Sequence, residues 1–222
     1  MTMAQQPSTG ASDDEGGAVL VEVAIVMTIM LVFVLGAIEF LLAFYQWNTA
    51  TKAVQIGARI AAVSDPVASG LNGLSKSVVG PIVPPGASMP NFTITCDGST
   101  ARCICNNGIC PGDLAYNAPA MNSIVFGRGS ASCTDASSFY DAGMCDVFAR
   151  ITPANVVITY AQTGLGFASR PGGPVPTITI SLKNLSLQFL FLRGLKGFND
   201  LHIPPLATSI TAEDLSSGAP TF

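Results

Sequence analysis

Apolar positions follow three patterns along the chain. From Ala18 to Tyr45 they are nearly continuous (AVLVEVAIVMTIMLVFVLGAIEFLLAFY), with no charge between Val23 and Ile38. Those 16 residues make about 24 Å of helix, so Glu22 and Glu39 fall near the two edges of a hydrocarbon core of about 30 Å. The 17 Val, Ile, Leu and Phe of residues 18–45 favour insertion by about 5 to 10 kcal/mol, which two snorkelling carboxylates do not cancel. A transmembrane helix is predicted. A cleaved secretory signal would carry basic residues before the apolar run and a small-residue cleavage site after it; neither is present.

The second pattern is helical. In QWNTATKAVQIGARIAAV, small or apolar residues recur at Ala50, Ala53, Val54, Gly57, Ile60 and Ala61, with Lys52, Gln55 and Arg59 elsewhere. Ser64-Asp65-Pro66 ends the run. One helix from Ala18 to about Val63 is expected, roughly 70 Å long. Weaker helical spacing marks Leu114 to Phe126, and again Tyr140, Met144, Val147 and Ile151 behind Ser137-Ser138 caps.

The third pattern is alternation. Phe92, Ile94 and Cys96 alternate with Thr93 and Thr95, and Ile178, Ile180 and Leu182 with Thr177, Thr179 and Lys183. Strands are predicted there and at Val156 to Tyr160, Thr177 to Leu185 and Leu206 to Thr211. Between these patterns lie a polar leader at residues 1–17, a Pro/Gly-rich linker at 65–90 and a Cys-rich loop from Cys96 to Cys110. The expected organisation is leader (1–17), transmembrane and extended helix (18–64), linker (65–90) and outer domain (91–222). The fold class is α+β: a long N-terminal transmembrane helix followed by a disulfide-stapled domain with a small antiparallel sheet. Leu185 to Leu195 (LSLQFLFLRGL) reads as a strand buried on both faces, with an exposed docking patch as the alternative.

Composition narrows the function. A chain of 222 residues has room for one or two domains, and its charged fraction of 11% is under half the ordinary share of about 25%. Ten basic against 14 acidic side chains leave no excess to meet phosphates, so nucleic acid is not an expected partner. A single histidine, His202, excludes multi-histidine metal sites and reads as a loop residue beside Pro204-Pro205. No G-x-S-x-G, P-loop or H-E-x-x-H occurs. Asp135-Ala136-Ser137-Ser138-Phe139 breaks the D-x-S-x-S metal pattern of a von Willebrand-type domain at its last position. No enzyme activity, cofactor or metal is expected.

Six cysteines (Cys96, Cys103, Cys105, Cys110, Cys133 and Cys145) form an even set confined to the outer domain, which predicts up to three disulfides in an oxidising compartment. Cys103 and Cys105 are too close to pair readily with each other. Cys96, Cys103, Cys105 and Cys110 lack the paired C-x-x-C spacing of a structural metal site.

Gly17-Ala18-Val19-Leu20-Val21-Glu22 opens the apolar helix with a glycine, four apolar residues and a glutamate. This resembles the processing site of type IV prepilins, and the resemblance implies cleavage after Gly17, Ala18 as the new N-terminus and Glu22 as the fifth mature residue. The wider pattern continues through Gly36-Ala37-Ile38-Glu39-Phe40 to Ala53, Gly57, Ala58 and Arg59. At the far end stand PANVVITYAQTGLGF, PVPTITISLKNLSLQFLFL and TSITAEDLSS. Together these are similar to the TadE-like pilus-assembly proteins, with Glu39 matching a second family glutamate. The resemblance implies a minor pilin or pseudopilin of Tad/Flp pili, partnered by other pilins and pseudopilins, prepilin peptidase, the pilus-assembly membrane platform and the lipid bilayer. It also implies a bacterial inner-membrane location with a periplasmic C-terminal domain.

Physical chemistry adds a separate reason for Glu22: an unpartnered carboxylate in an apolar setting is costly, and cleavage would create an ammonium one helical turn away. The first helical turn also favours negative charge. One feature departs from the usual prepilin pattern. The leader is acidic while Lys52, Arg59 and Lys76 follow the span, so the positive-inside rule alone would turn the N-terminus outward. The cysteines and the resemblance place the C-terminal region outside. The rival class is a membrane-anchored adhesive or ligand-binding domain on an uncleaved helix.

Overall fold

The computed structural model describes residues 12–130, 132–133, 141–191, 203–212 and 215, with side chains from Gly17 onward. Helix α1 runs unbroken from Ser12 to Ala62. Its first part is apolar all round and uncovered, with Val19 to Phe33 and Phe40 to Tyr45 largely exposed. A soluble helix would confine such residues to one stripe. Beyond Tyr45 the character changes. Ala50, Ala53, Val54, Ala58 and Ala61 are buried against the rest of the molecule, as the helical spacing predicts.

Five strands form one antiparallel sheet: β1 Phe92–Asp97, β2 Arg102–Gly108, β3 Val156–Ala161, β4 Thr177–Leu182 and β5 Leu206–Thr211, in the order β2-β1-β3-β4-β5. The alternation read from the chain decides which face is inside. Phe92, Ile94, Cys96, Val156, Ile158, Tyr160, Ile178, Ile180 and Leu182 are buried on one face, which α1 covers at β4 and β5. The small alanines of α1 let helix and sheet approach closely. On the other face Thr95, Thr159, Thr179 and Ser209 stand in one cross-strand row. Thr95 and Thr159 hydroxyls are 3.3 Å apart and those of Thr179 and Ser209 2.7 Å.

Several elements differ from expectation. The Cys-rich loop is a hairpin, because Cys103 and Cys105 occupy β2 with Cys103 directly opposite Cys96. The strand expected over 177–185 ends at Leu182, since Asn184 adopts a left-handed conformation (φ 56°). Between Leu185 and Phe191 there is no named strand, and Leu190 and Phe191 are exposed; the doubly buried strand does not form there. Residues 192–195 lie outside the described residues, as do His202, Ser137-Ser138, Tyr140, the 135–139 motif and the first 11 leader residues.

The 65–90 stretch is built into the core: helix α2 (Leu71–Ser77) buries Leu71 and Leu74, and Val67, Ala68 and Val78 are buried around it. Helix α3 starts only at Ala118 and runs to Phe126, where Asn117 caps it by accepting from the Ala120 amide at 3.2 Å. Helix α4 is one turn, Met144–Val147. It packs where α1 carries Gly57: a β-carbon there would overlap the buried Met144 side chain, which would have to shift.

Disulfides join Cys96 to Cys103, Cys105 to Cys110 and Cys133 to Cys145, leaving no free cysteine. The four cysteines weighed as metal ligands are thereby consumed in covalent pairs.

Candidate functional site: the uncovered helix and the clamp at its outer end

Gly17 and Ala18 lie within α1, exposed, and nothing approaches within 4 Å of where a Gly17 β-carbon would be. Glu22 is four residues on, one turn along the helix and also exposed. Three of the positions expected to matter therefore share one open helical end, separate from the sheet.

Glu39 is in a different situation. It is 2% exposed, although flanking Ile38, Phe40 and Leu41 are exposed. Its carboxylate accepts the Leu190 amide at 3.0 Å through Oε2 and the Phe191 amide through Oε1. A carboxylate held by two backbone N–H groups is well matched, because ionised oxygens form the stronger hydrogen bonds. Two turns further along the same helix face, Gln46 continues the contact. Its Nε2 donates to the Gln188 carbonyl at 2.7 Å and its Oε1 accepts from the Gln188 amide at 2.9 Å. The Gln46 oxygen also accepts from Arg150 Nη1 at 3.0 Å, while Arg150 Nη2 donates to the Ser186 carbonyl at 2.6 Å. Burial lowers the pKa of the Arg150 guanidinium, which stays charged nonetheless. Glu39, Gln46 and Arg150 thus fasten residues 186–191 to α1.

Neither Gln46 nor Arg150 was selected from the sequence. Gln46 follows Glu39 by seven residues, in line with Ala50, Ala53 and Gly57, so a polar residue on the buried stripe was the available signal. Arg150 had none, since its partners are a backbone carbonyl 36 positions away and the Gln46 side chain 104 positions away.

Among the described residues, no group of three or more His, Cys, Asp or Glu is placed to hold a metal ion. What the structure defines is an α+β domain carried on a helix long and apolar enough to cross a membrane. Residues 17–59 of that helix match the family described as TadE-like protein, the family that the glycine and the two glutamates resemble. The match covers α1 and none of the sheet, and relates the chain to Tad pilus assembly through its helix. No curated protein and no solved structure matches the chain.

Proposed function

We propose that the chain is a minor pilin or pseudopilin in the assembly of Tad/Flp-type pili, that it acts by helix packing in membrane and filament, and that it is not an enzyme. The observation that carries this reading is an uncovered, all-round apolar helix whose residues 17–59 are TadE-like. A helix with no partner of its own needs lipid or other helices around it. Prepilin peptidase cuts between Gly17 and Ala18, and the new Ala18 ammonium neutralises Glu22 on the same chain or on a neighbour. The C-terminal domain then lies in the periplasm, where its three disulfides persist, and its partners are other pilins, pseudopilins and the assembly platform.

The test is the N-terminal mass of the protein isolated from cells with an active prepilin peptidase. A chain beginning at Ala18 is expected; one beginning at Met1 or Thr2 would reject processing. Sheared pili are expected to contain the chain or to require it for their formation. The Glu22→Ala variant should insert normally, because the span becomes more apolar, yet impair piliation. Normal piliation by that variant removes the role given to Glu22.

A further inference from the structure

Leu190 and Phe191, the last described residues of the clamped segment, are 66% and 49% exposed. They sit beside Glu39, within the part of α1 that is still largely uncovered. We infer that residues 186–191 form a second membrane contact, in which Leu190 and Phe191 enter the interface of the leaflet from which the helix emerges, while Glu39 holds their amides. This rests on reading α1 as a membrane span.

Depth comes first. Glu39 lies 21 residues beyond Ala18, about 32 Å along the helix axis, one hydrocarbon thickness from the start of the apolar run. Its hydrogen-bond partners share its level, so the segment tip is placed at the outer edge of the bilayer. The second reason is backbone accounting. Irregular chain at that depth is tolerated only when its polar groups are satisfied from within the protein. Glu39 takes the amides of Leu190 and Phe191, Gln46 takes both polar groups of Gln188, and Arg150 takes the Ser186 carbonyl.

Third, residues 185–191, LSLQFLF, carry no charge. Their tip continues the exposed belt of Phe40, Leu41, Leu42 and Phe44 on the helix. Successive residues of a helix point about 100° apart, so Ile38 and Phe40, both exposed, flank Glu39 on opposite sides. A bilayer covers both flanks and the segment tip together, whereas a single protein neighbour covers one side. Lipid is therefore the occupant.

The experiment uses the full chain reconstituted in phosphatidylcholine vesicles containing lipid with a quenching spin label near the head of the acyl chain. Replacing the single tryptophan, Trp47→Phe, gives a background into which Leu190→Trp, Phe40→Trp or Ile104→Trp is placed one at a time. Leu190→Trp should be quenched as strongly as Phe40→Trp, at the level of Glu39, with Ile104→Trp, on the far strand β2, unquenched. Adding Glu39→Ala should weaken quenching at position 190 and leave position 40 unchanged, with Glu39→Gln, which keeps one acceptor oxygen, in between. Quenching of Phe40→Trp without Leu190→Trp overturns the inference and leaves the span intact. In that case a blue-shifted Leu190→Trp emission would assign the surface to protein, such as a second copy. Quenching of none of the three rejects the span itself. Equal quenching of all three rejects a specific contact, and indifference to Glu39→Ala rejects its positioning role.

Discussion

Replacing Tyr160 by phenylalanine tests how the core is closed around the 65–90 stretch. The Tyr160 ring is completely buried on β3, and its phenolic oxygen accepts the backbone N–H of Val67 at 3.0 Å. Val67 is itself fully buried. Phenylalanine keeps the ring and strands the amide without a partner, at a cost of about 1–3 kcal/mol. In a domain of this size that corresponds to a fall in melting temperature of about 2–12 °C. The same residue supplies a pH signature. Burial, only partly opposed by the Val67 hydrogen bond, raises the Tyr160 pKa far above its ordinary value of 10.0. The folded protein therefore withholds a proton that the unfolded chain releases. Stability is complete well below pH 10 and falls as pH rises above it, by about 1.4 kcal/mol per pH unit while the native phenol stays protonated. Tyr160→Phe should be less stable than the parent at pH 7 and should lose less on going to pH 11. A smaller alkaline loss should remain from Tyr116, whose pKa burial and the Asp97 charge also raise. The assay is near-ultraviolet circular dichroism melting of the full chain in detergent micelles, with disulfides intact. Equal melting temperatures at pH 7, together with an unchanged alkaline slope, would refute the argument.

Gly57→Val should destabilise by about 1–3 kcal/mol through overlap with Met144, and Met144→Ala in the same chain should recover part of that, measured as a double-mutant cycle. The disulfides close loops with sequence separations of 7, 5 and 12, so each Cys pair replaced by Ser should cost about 2–3 kcal/mol in denaturant unfolding. Alkylation of unreduced protein should label none of the six cysteines. Lys183 Nζ lies 2.5 Å from Asp97 Oδ2. Burial raises the Asp97 pKa, but hydrogen bonds from Lys183 and Ser99 outweigh it and leave the pKa below the ordinary value of 3.8. The pair's contribution should thus be intact above that value and vanish as pH falls through the lowered one. Lys183→Ala should lose about 1 kcal/mol or less at neutral pH and nothing further in acid.

The alternation of Phe92, Ile94 and Cys96 and of Ile178, Ile180 and Leu182 made the inner sheet face legible, because a two-residue period has one structural meaning. The long helix was equally plain from Val23 to Ile38. Strand β2 was hidden because its only strong side chains are cysteines and an outward Ile104; an arginine, two asparagines and a glycine fill the rest. The 65–90 stretch misled because Pro and Gly mark irregular backbone, whether or not that backbone is buried. At the clamp, Glu39 was visible as an oddity in an apolar run. Its partners are main-chain amides more than 150 positions away, and backbone groups leave no trace in the side-chain pattern.

The stretch long and apolar enough to cross a membrane and the core helix of the domain are one element, without a joint at Tyr45 or Trp47, and on the proposed reading of it as a span this has a mechanical consequence. A flexible tether would let the domain swing freely over the bilayer; here the domain must move as the far arm of a lever. A change in helix tilt of about 20°, acting over the roughly 48 Å from mid-span to Ala62, displaces that end sideways by about 16 Å. Axial pull on the span is likewise delivered directly to the sheet, through the alanine seam and the segment fastened at Glu39. Any partner that grips the apolar part of the helix thereby sets the position and heading of the domain.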